Sequence, residues 1–93
     1  MIRVLIERHI AADLEPHYDR VARETLQKAM LLPGFISGEA LHNVDDPNHR
    51  LVLATYRSEN DWEQWFHSDE RRQMMQQIGP MLEGEKKITV FGH

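Results

Sequence analysis

The chain has 93 residues, with 41% hydrophobic and 28% charged, 15 acidic side chains against 11 Lys and Arg, and no cysteine. The basic residues are scattered through an acidic chain with a net charge of -4, which gives no electrostatic footprint for a phosphate backbone and sets nucleic acid aside as a partner. A missing thiol excludes thiolate catalysis, disulfides and thiolate metal sites, and a chain this short gains burial most readily by pairing with a second copy, so a homodimer is expected.

The first apolar run is broken by Arg3, Glu7 and Arg8, which fits neither a secretory leader nor a membrane span. A cytoplasmic protein is the expectation. Ile2, Val4 and Ile6 alternate with Arg3, Glu7 and His9, the period of a half-buried strand. From Leu14 the period changes to three and four through Tyr18, Val21, Ala22, Thr25, Leu26, Ala29 and Met30, which predicts an amphipathic helix with Asp13 as N-cap and Pro16 in its first turn. Pro33 and Gly34 close it. A strand is predicted over 35–43, the segment VDDPNHR as a turn, and LVLATYR as the opposing strand. Ser58 and Asp61 then have the spacing of a capping box for a helix carrying Trp62, Trp65 and Phe66. Ser68 or Asp69 restarts that helix, Gly79 and Pro80 disturb its end, and KKITVFGH closes as a short strand.

The order β-α-β-β-α-β predicts a single α+β domain over 1–93: a ferredoxin-like four-stranded antiparallel sheet with its helices on one face. The other face needs a cover. Two such sheets packed face to face would supply it as a dimeric α+β barrel, each copy keeping a pocket between its sheet and helices.

Two segments are distinctive: PGFISGE entering the second strand, and YRSENDWEQWFHSDERR, in which W-x-x-W is followed by S-D. Across these, and over most of its length, the sequence resembles the antibiotic biosynthesis monooxygenase family of small dimeric α+β barrel proteins. The resemblance implies a fold, a dimer and a pocket. Among the chemistries it implies is oxidation of aromatic phenols or quinols by O2 without metal, flavin or haem. A shared fold does not transfer a chemistry, so each residue is weighed separately. The family's haem-degrading branch would need an Asn on the first strand and a His late on the second helix. Arg8 and Met75 stand there instead, and although Trp65 matches, haem degradation is disfavoured without the imidazole.

Trp62, Trp65 and Phe66 at helical spacing are ordinary core in the plain reading. The resemblance places Trp65 at the pocket, where an indole stacks on a planar substrate and its N–H donates to a ligand oxygen. Arg8, extending the set Ile2, Val4, Ile6, points either into the pocket as an anion holder or along the strand end to solvent. His67 has the right type to take a phenolic proton, although its spacing from Trp65 also suits a surface role. Asn60 and Tyr56 are candidate pocket donors, or a cap neighbour and a packing residue. Met74, Met75, Ile78, Met81 and Leu82 form an adaptable helix face, with Met75 a candidate substrate contact. His42 and His49 flank the hairpin turn, with Glu39 and His9 within conceivable reach, but no metal-ligand spacing such as H-E-x-x-H supports them. No metal and no cofactor are expected. The chain also lacks a glycine-rich phosphate loop and a close carboxylate pair in an apolar run, which sets aside kinase and glycosidase chemistry.

The leading expectation is therefore a cofactor-independent monooxygenase acting with O2 on an aromatic phenol or quinol, with Trp65, Arg8 and His67 as catalytic candidates and Trp62, Asn60, Tyr56 and Met75 as substrate contacts. The alternative is a small-molecule-binding or stress-response dimer that uses the same pocket without catalysis.

Overall fold

In a computed structural model, residues 1–84 and 86–93 are described. Strands β1 (Ile2–His9), β2 (Phe35–Asn43), β3 (Asp46–Tyr56) and β4 (Lys87–Gly92) form one sheet in the order β2-β3-β1-β4, with every neighbouring pair antiparallel. Helices α1 (Glu15–Ala29), α2 (Glu59–Phe66) and α3 (Asp69–Ile78), followed by a single 3₁₀ turn at Gly79–Met81, fill the connections. This is the ferredoxin-like α+β arrangement.

Alternation on β1 buries Ile2, Val4, Ile6 and Arg8, and the register sets Tyr56 and Ala54 of β3 opposite Ile2 and Val4. One core cluster joins Ile2, Val4, Ile6, Ala29, Ala54, Tyr56, Trp62 and Trp65; a second joins Ile10, Tyr18, Val21, Met74 and Ile78. The opposite face carries Leu5, Leu51 and Leu53 across the central strands, with Leu41 45% and Phe91 53% exposed at its margins. Among the described residues no helix covers that face. None of the described helices is long and apolar enough to cross a membrane.

Three local expectations need correction. The hairpin loop is only Val44 and Asp45, because Asn43 pairs with Asp46 and β3 starts five residues earlier than the apolar run LVLATYR. The register shift between His42, opposite Arg50, and Asn43, opposite Asp46, takes up the extra residues, including Pro47, which has no N–H to give a regular ladder. Asn43 Oδ1 accepts from Asp45 N and Asp46 Oδ1 from Asn48 N, so the turn-forming side chains stabilise the strand ends instead of lengthening the loop. Asp13 is not a helix cap: it sits at φ 71° in the preceding turn, and Leu14 occupies the N-cap without a side-chain bond. Met30, placed on the apolar stripe, is 61% exposed just beyond the end of α1.

The second helical segment behaves as its caps dictate. Ser58 Oγ accepts from Asp61 N at 3.2 Å and donates to the Asp61 carboxylate at 2.9 Å; Ser68 Oγ accepts from Arg71 N at 3.2 Å. The segment is thus two helices, broken at His67 by the second cap. Gly34, at φ +88°, brings the β2 entry against α2 so closely that a β-carbon there would lie 2.1 Å from Asp61 Cγ.

Candidate functional site

A cavity of about 250 Å³ lies between α1 and the sheet. Tyr18, Ala22, Thr25, Leu26 and Ala29 form its helix wall, and Ile6, Arg8, Val52, Ala54 and Tyr56 part of its sheet wall. Trp62, Trp65, Met74 and Ile78 of α2 and α3 complete the lining. This exceeds the roughly 150 Å³ of an engineered core cavity that takes up benzene. Gly38 sits under Leu26, whose Cδ1 would meet an added β-carbon at 2.8 Å, so a small residue there lets α1 approach β2 at the edge of the space.

Arg8 is the most informative lining residue. It is 3% exposed, and its Nη1 donates to the Tyr18 hydroxyl at 3.0 Å, while its Nε has no partner. The strand-end reading in which Arg8 reaches solvent is therefore corrected: it points inward. Arg50, which also lines the cavity, is neutralised by Asp19. Both guanidinium groups lie beside the Tyr18 ring, at 5.9 Å and 5.7 Å from its centroid. Tyr56 is 2% exposed, and burial pushes its phenol up to about 12 against a smaller opposing pull from Arg71. It stays a neutral donor under ordinary conditions.

The tryptophans both reach the cavity. Trp65, 6% exposed, lies where it was expected; Trp62, 4% exposed, also lines the space, with its ring 5.5 Å from both Tyr56 and Phe66. Phe66 does not line it and instead lies under the Arg71 guanidinium at 4.2 Å from the ring centroid.

Three candidates fall outside. His67 is exposed, with its Nε2 3.2 Å from Glu63 Oε2, because two residues of helix rotate it away from Trp65. Asn60 is exposed on the first turn of α2 and does not line the cavity. Met75 packs against the second core cluster, where its Sδ accepts from Lys86 Nζ at 3.8 Å, and Met74 takes the cavity position instead. The one-residue difference is a helix rotation of about 100°.

His42 and His49 do not face one another: His42 is registered with Arg50, and His49 stacks on His9 with centroids 4.6 Å apart. Donor atoms of Glu7, His9 and His49 converge within 4.8 Å on the bare sheet face. Asn43 Oδ1 accepts from Asp45 N, which fixes the amide so that Nδ2 donates to His49 Nδ1 at 3.1 Å. His49 Nε2 then carries the proton, directed at Glu7 Oε2 3.5 Å away, which leaves that nitrogen no lone pair for a metal.

Tyr18 and Arg71 are the residues that sequence reading missed. Tyr18 was read as helix stripe only. Arg71 had a visible signal: it stands three and seven residues before Met74 and Ile78, on the apolar face of α3, and is only 8% exposed.

A family model described as antibiotic biosynthesis monooxygenase matches residues 1–77. No curated protein sequence matches. Among solved structures, the Nitrosomonas europaea protein named for the same family superposes with a TM-score of 0.92 at 14% identity, covering 100% of this chain and 98% of that one. A conserved Methanosarcina mazei protein gives 0.92 at 16% identity, with 97% and 89% covered. A mutant of SnoaB, a cofactor-independent oxygenase from Streptomyces nogalater, gives 0.89 at 11% identity, with 99% and 91% covered. At these identities the superpositions establish the fold, and the family match over 1–77 establishes kinship: the chain belongs to the antibiotic biosynthesis monooxygenase family.

Proposed function

We propose that the protein is a cofactor-independent monooxygenase that oxidises a small planar phenol or quinol with O2, working as a homodimer in the cytoplasm. The observation that carries this reading is the cavity itself: an apolar chamber walled by two indoles, with one buried arginine that has no acidic partner among the described residues. SnoaB, a fold neighbour, is a cofactor-independent oxygenase. In the proposed reaction the substrate loses a proton, and the anion gives one electron to O2. The resulting radical and superoxide combine at a carbon that still bears hydrogen, the peroxide anion takes up a proton in place of the one lost, and the O–O bond breaks as that carbon gives up its hydrogen, leaving a carbonyl and water. The substrate supplies the electrons. Trp62 and Trp65 orient the ring, the apolar wall removes water from the anion, and Arg8 stabilises its charge. The uncovered face with Leu5, Leu51 and Leu53 supports dimerisation, since burying it against a second copy removes apolar surface from water.

The rival reading is a binding protein that uses the same cavity without turnover. It is favoured by one observation: among the described residues no histidine lines the cavity, and of its two lining carboxylates Asp19 is committed to Arg50 while Glu39 is exposed and registered with Leu53 of the uncovered face. Oxygen uptake with a panel of naphthols, anthrones and hydroquinones separates the two. Uptake above the buffer rate supports the oxygenase. Ligand-induced thermal stabilisation without uptake supports the binding protein.

A further inference from the structure

Arg8 and Arg71 are both more than nine-tenths buried, and each leaves a guanidinium nitrogen without a hydrogen-bond partner, Nε in Arg8 and Nη2 in Arg71. Lys86, half-buried nearby, meets among the described residues only the weakly accepting Met75 thioether. Among the described residues, none of the three has a carboxylate within 4.0 Å, whereas Arg50, Arg57 and Arg72 all do. The chain does not lack acids, since it holds 15 against 11 basic residues. The deficit is local. The three cations also sense one another: burial first, then Arg8, lowers the Arg71 guanidinium from its usual value, and burial, then Arg71 and Arg8, lowers the Lys86 ammonium. A buried charge without a counter-charge is costly, and of the three only Arg8 lines the cavity, so an anion bound there would meet its guanidinium directly and feel Arg71 and Lys86 through their field.

Tyr18 meets Arg8 at the cavity wall. Its hydroxyl accepts from Arg8 Nη1, which leaves its own proton free of any acceptor among the described residues. Arg8 and the Tyr18 hydroxyl therefore present donors from β1 and α1 at one end of the cavity, with the tryptophans forming another part of its wall.

We propose that the cavity takes an aromatic acid, with its carboxylate held by Arg8 and the Tyr18 hydroxyl, its ring against Trp62 and Trp65, and Arg71 and Lys86 adding positive potential from behind. This rests on the pocket reading above and deepens it by naming the ligand class: a hydroxylated aromatic carboxylate in preference to a neutral phenol.

Calorimetric titration with 2-naphthoate and its neutral isostere 2-naphthamide tests the assignment without relying on turnover. The acid should bind at least about tenfold more tightly than the amide, as a charge-assisted pair inside a cavity requires. Arg8→Met should erase that preference, Arg8→Lys should restore part of it, and Tyr18→Phe should reduce it several-fold. Arg8→Met should also melt no lower than the wild type when unliganded, because it removes an uncompensated buried cation. If Arg8→Met does not fold, the acid and amide comparison in wild type and Tyr18→Phe still decides. Equal affinities for acid and amide overturn the anion subsite while leaving the aromatic pocket intact. Binding of neither overturns both.

Discussion

Replacing Trp65 by alanine separates a residue that borders a cavity from one that is wholly enclosed. A buried Trp→Ala change in a packed core costs about 3–5 kcal/mol, through lost transfer energy and the void left behind. Trp65 is 6% exposed and belongs to the main core cluster, but part of its surface already faces the chamber of about 250 Å³. Fewer contacts are then lost on truncation, so the cost should lie near about 3 kcal/mol. Trp62 also reaches the cavity, yet its ring is held 5.5 Å from both Tyr56 and Phe66, and its truncation should lie near about 5 kcal/mol. Against a total of roughly 5–15 kcal/mol, either variant is seriously weakened, and the Trp65 change corresponds to a Tm lower by roughly 12–24 °C. Urea unfolding followed by far-ultraviolet circular dichroism measures both. If Trp65→Ala costs as much as Trp62→Ala or more, the indole is enclosed core, and the site described here is misplaced.

Ser58→Ala removes the N-cap of α2 and the donor to Asp61, and should cost about 1 kcal/mol by urea titration; no loss would mean that tertiary packing alone holds the helix start. Gly34→Ala combines a left-handed backbone with an approach of 2.1 Å to Asp61 Cγ, so it should cost about 1–3 kcal/mol, and a neutral result would contradict the close packing of the β2 entry on α2. Tyr56 links stability to alkaline pH. Its folded-state pKa is raised to about 12 from 10.0, so its contribution is fully present below pH 10 and is lost as pH rises through about 12. The loss amounts to up to about 3 kcal/mol, and Tyr56→Phe should remove that part of the decline. Curves of equal slope for the two proteins would refute this. Leu53→Lys, opposite Leu5 in the middle of the uncovered face, should turn a dimer into a monomer in sedimentation; an unchanged mass would place the partner elsewhere or nowhere.

The fold was legible because its signals are local and repeated. Period-2 alternation in β1, the switch to a helical period after Leu14, and the paired caps Ser58 and Ser68 each specify an element and agree with one another. The hairpin was harder. Asp46, Pro47 and Asn48 have turn chemistry, but their side-chain bonds and the β-bulge let them lie within a strand, which only the pairing with β1 and β2 decides. The same limit applied to the site. Helical periodicity gives a face but not a rotation to within one residue, so Met75 was chosen where Met74 lines the space. His67 has the right chemistry and the wrong angle. Arg8 was legible as inward-pointing by alternation, but that no acid among the described residues meets it is a tertiary fact, as is the meeting of Arg8 with Tyr18 ten residues away.

Oxidation of an aromatic substrate by O2 without a cofactor is the activity this cavity should support. Oxygen consumption by metal-stripped protein with the naphthol, anthrone and hydroquinone panel, extended to their carboxylated analogues, tests it directly. Uptake should rise above the buffer rate, be strongest for a carboxylated member, and fall on Trp65→Phe and Arg8→Met. No uptake from any member, or uptake indifferent to both substitutions, would contradict it.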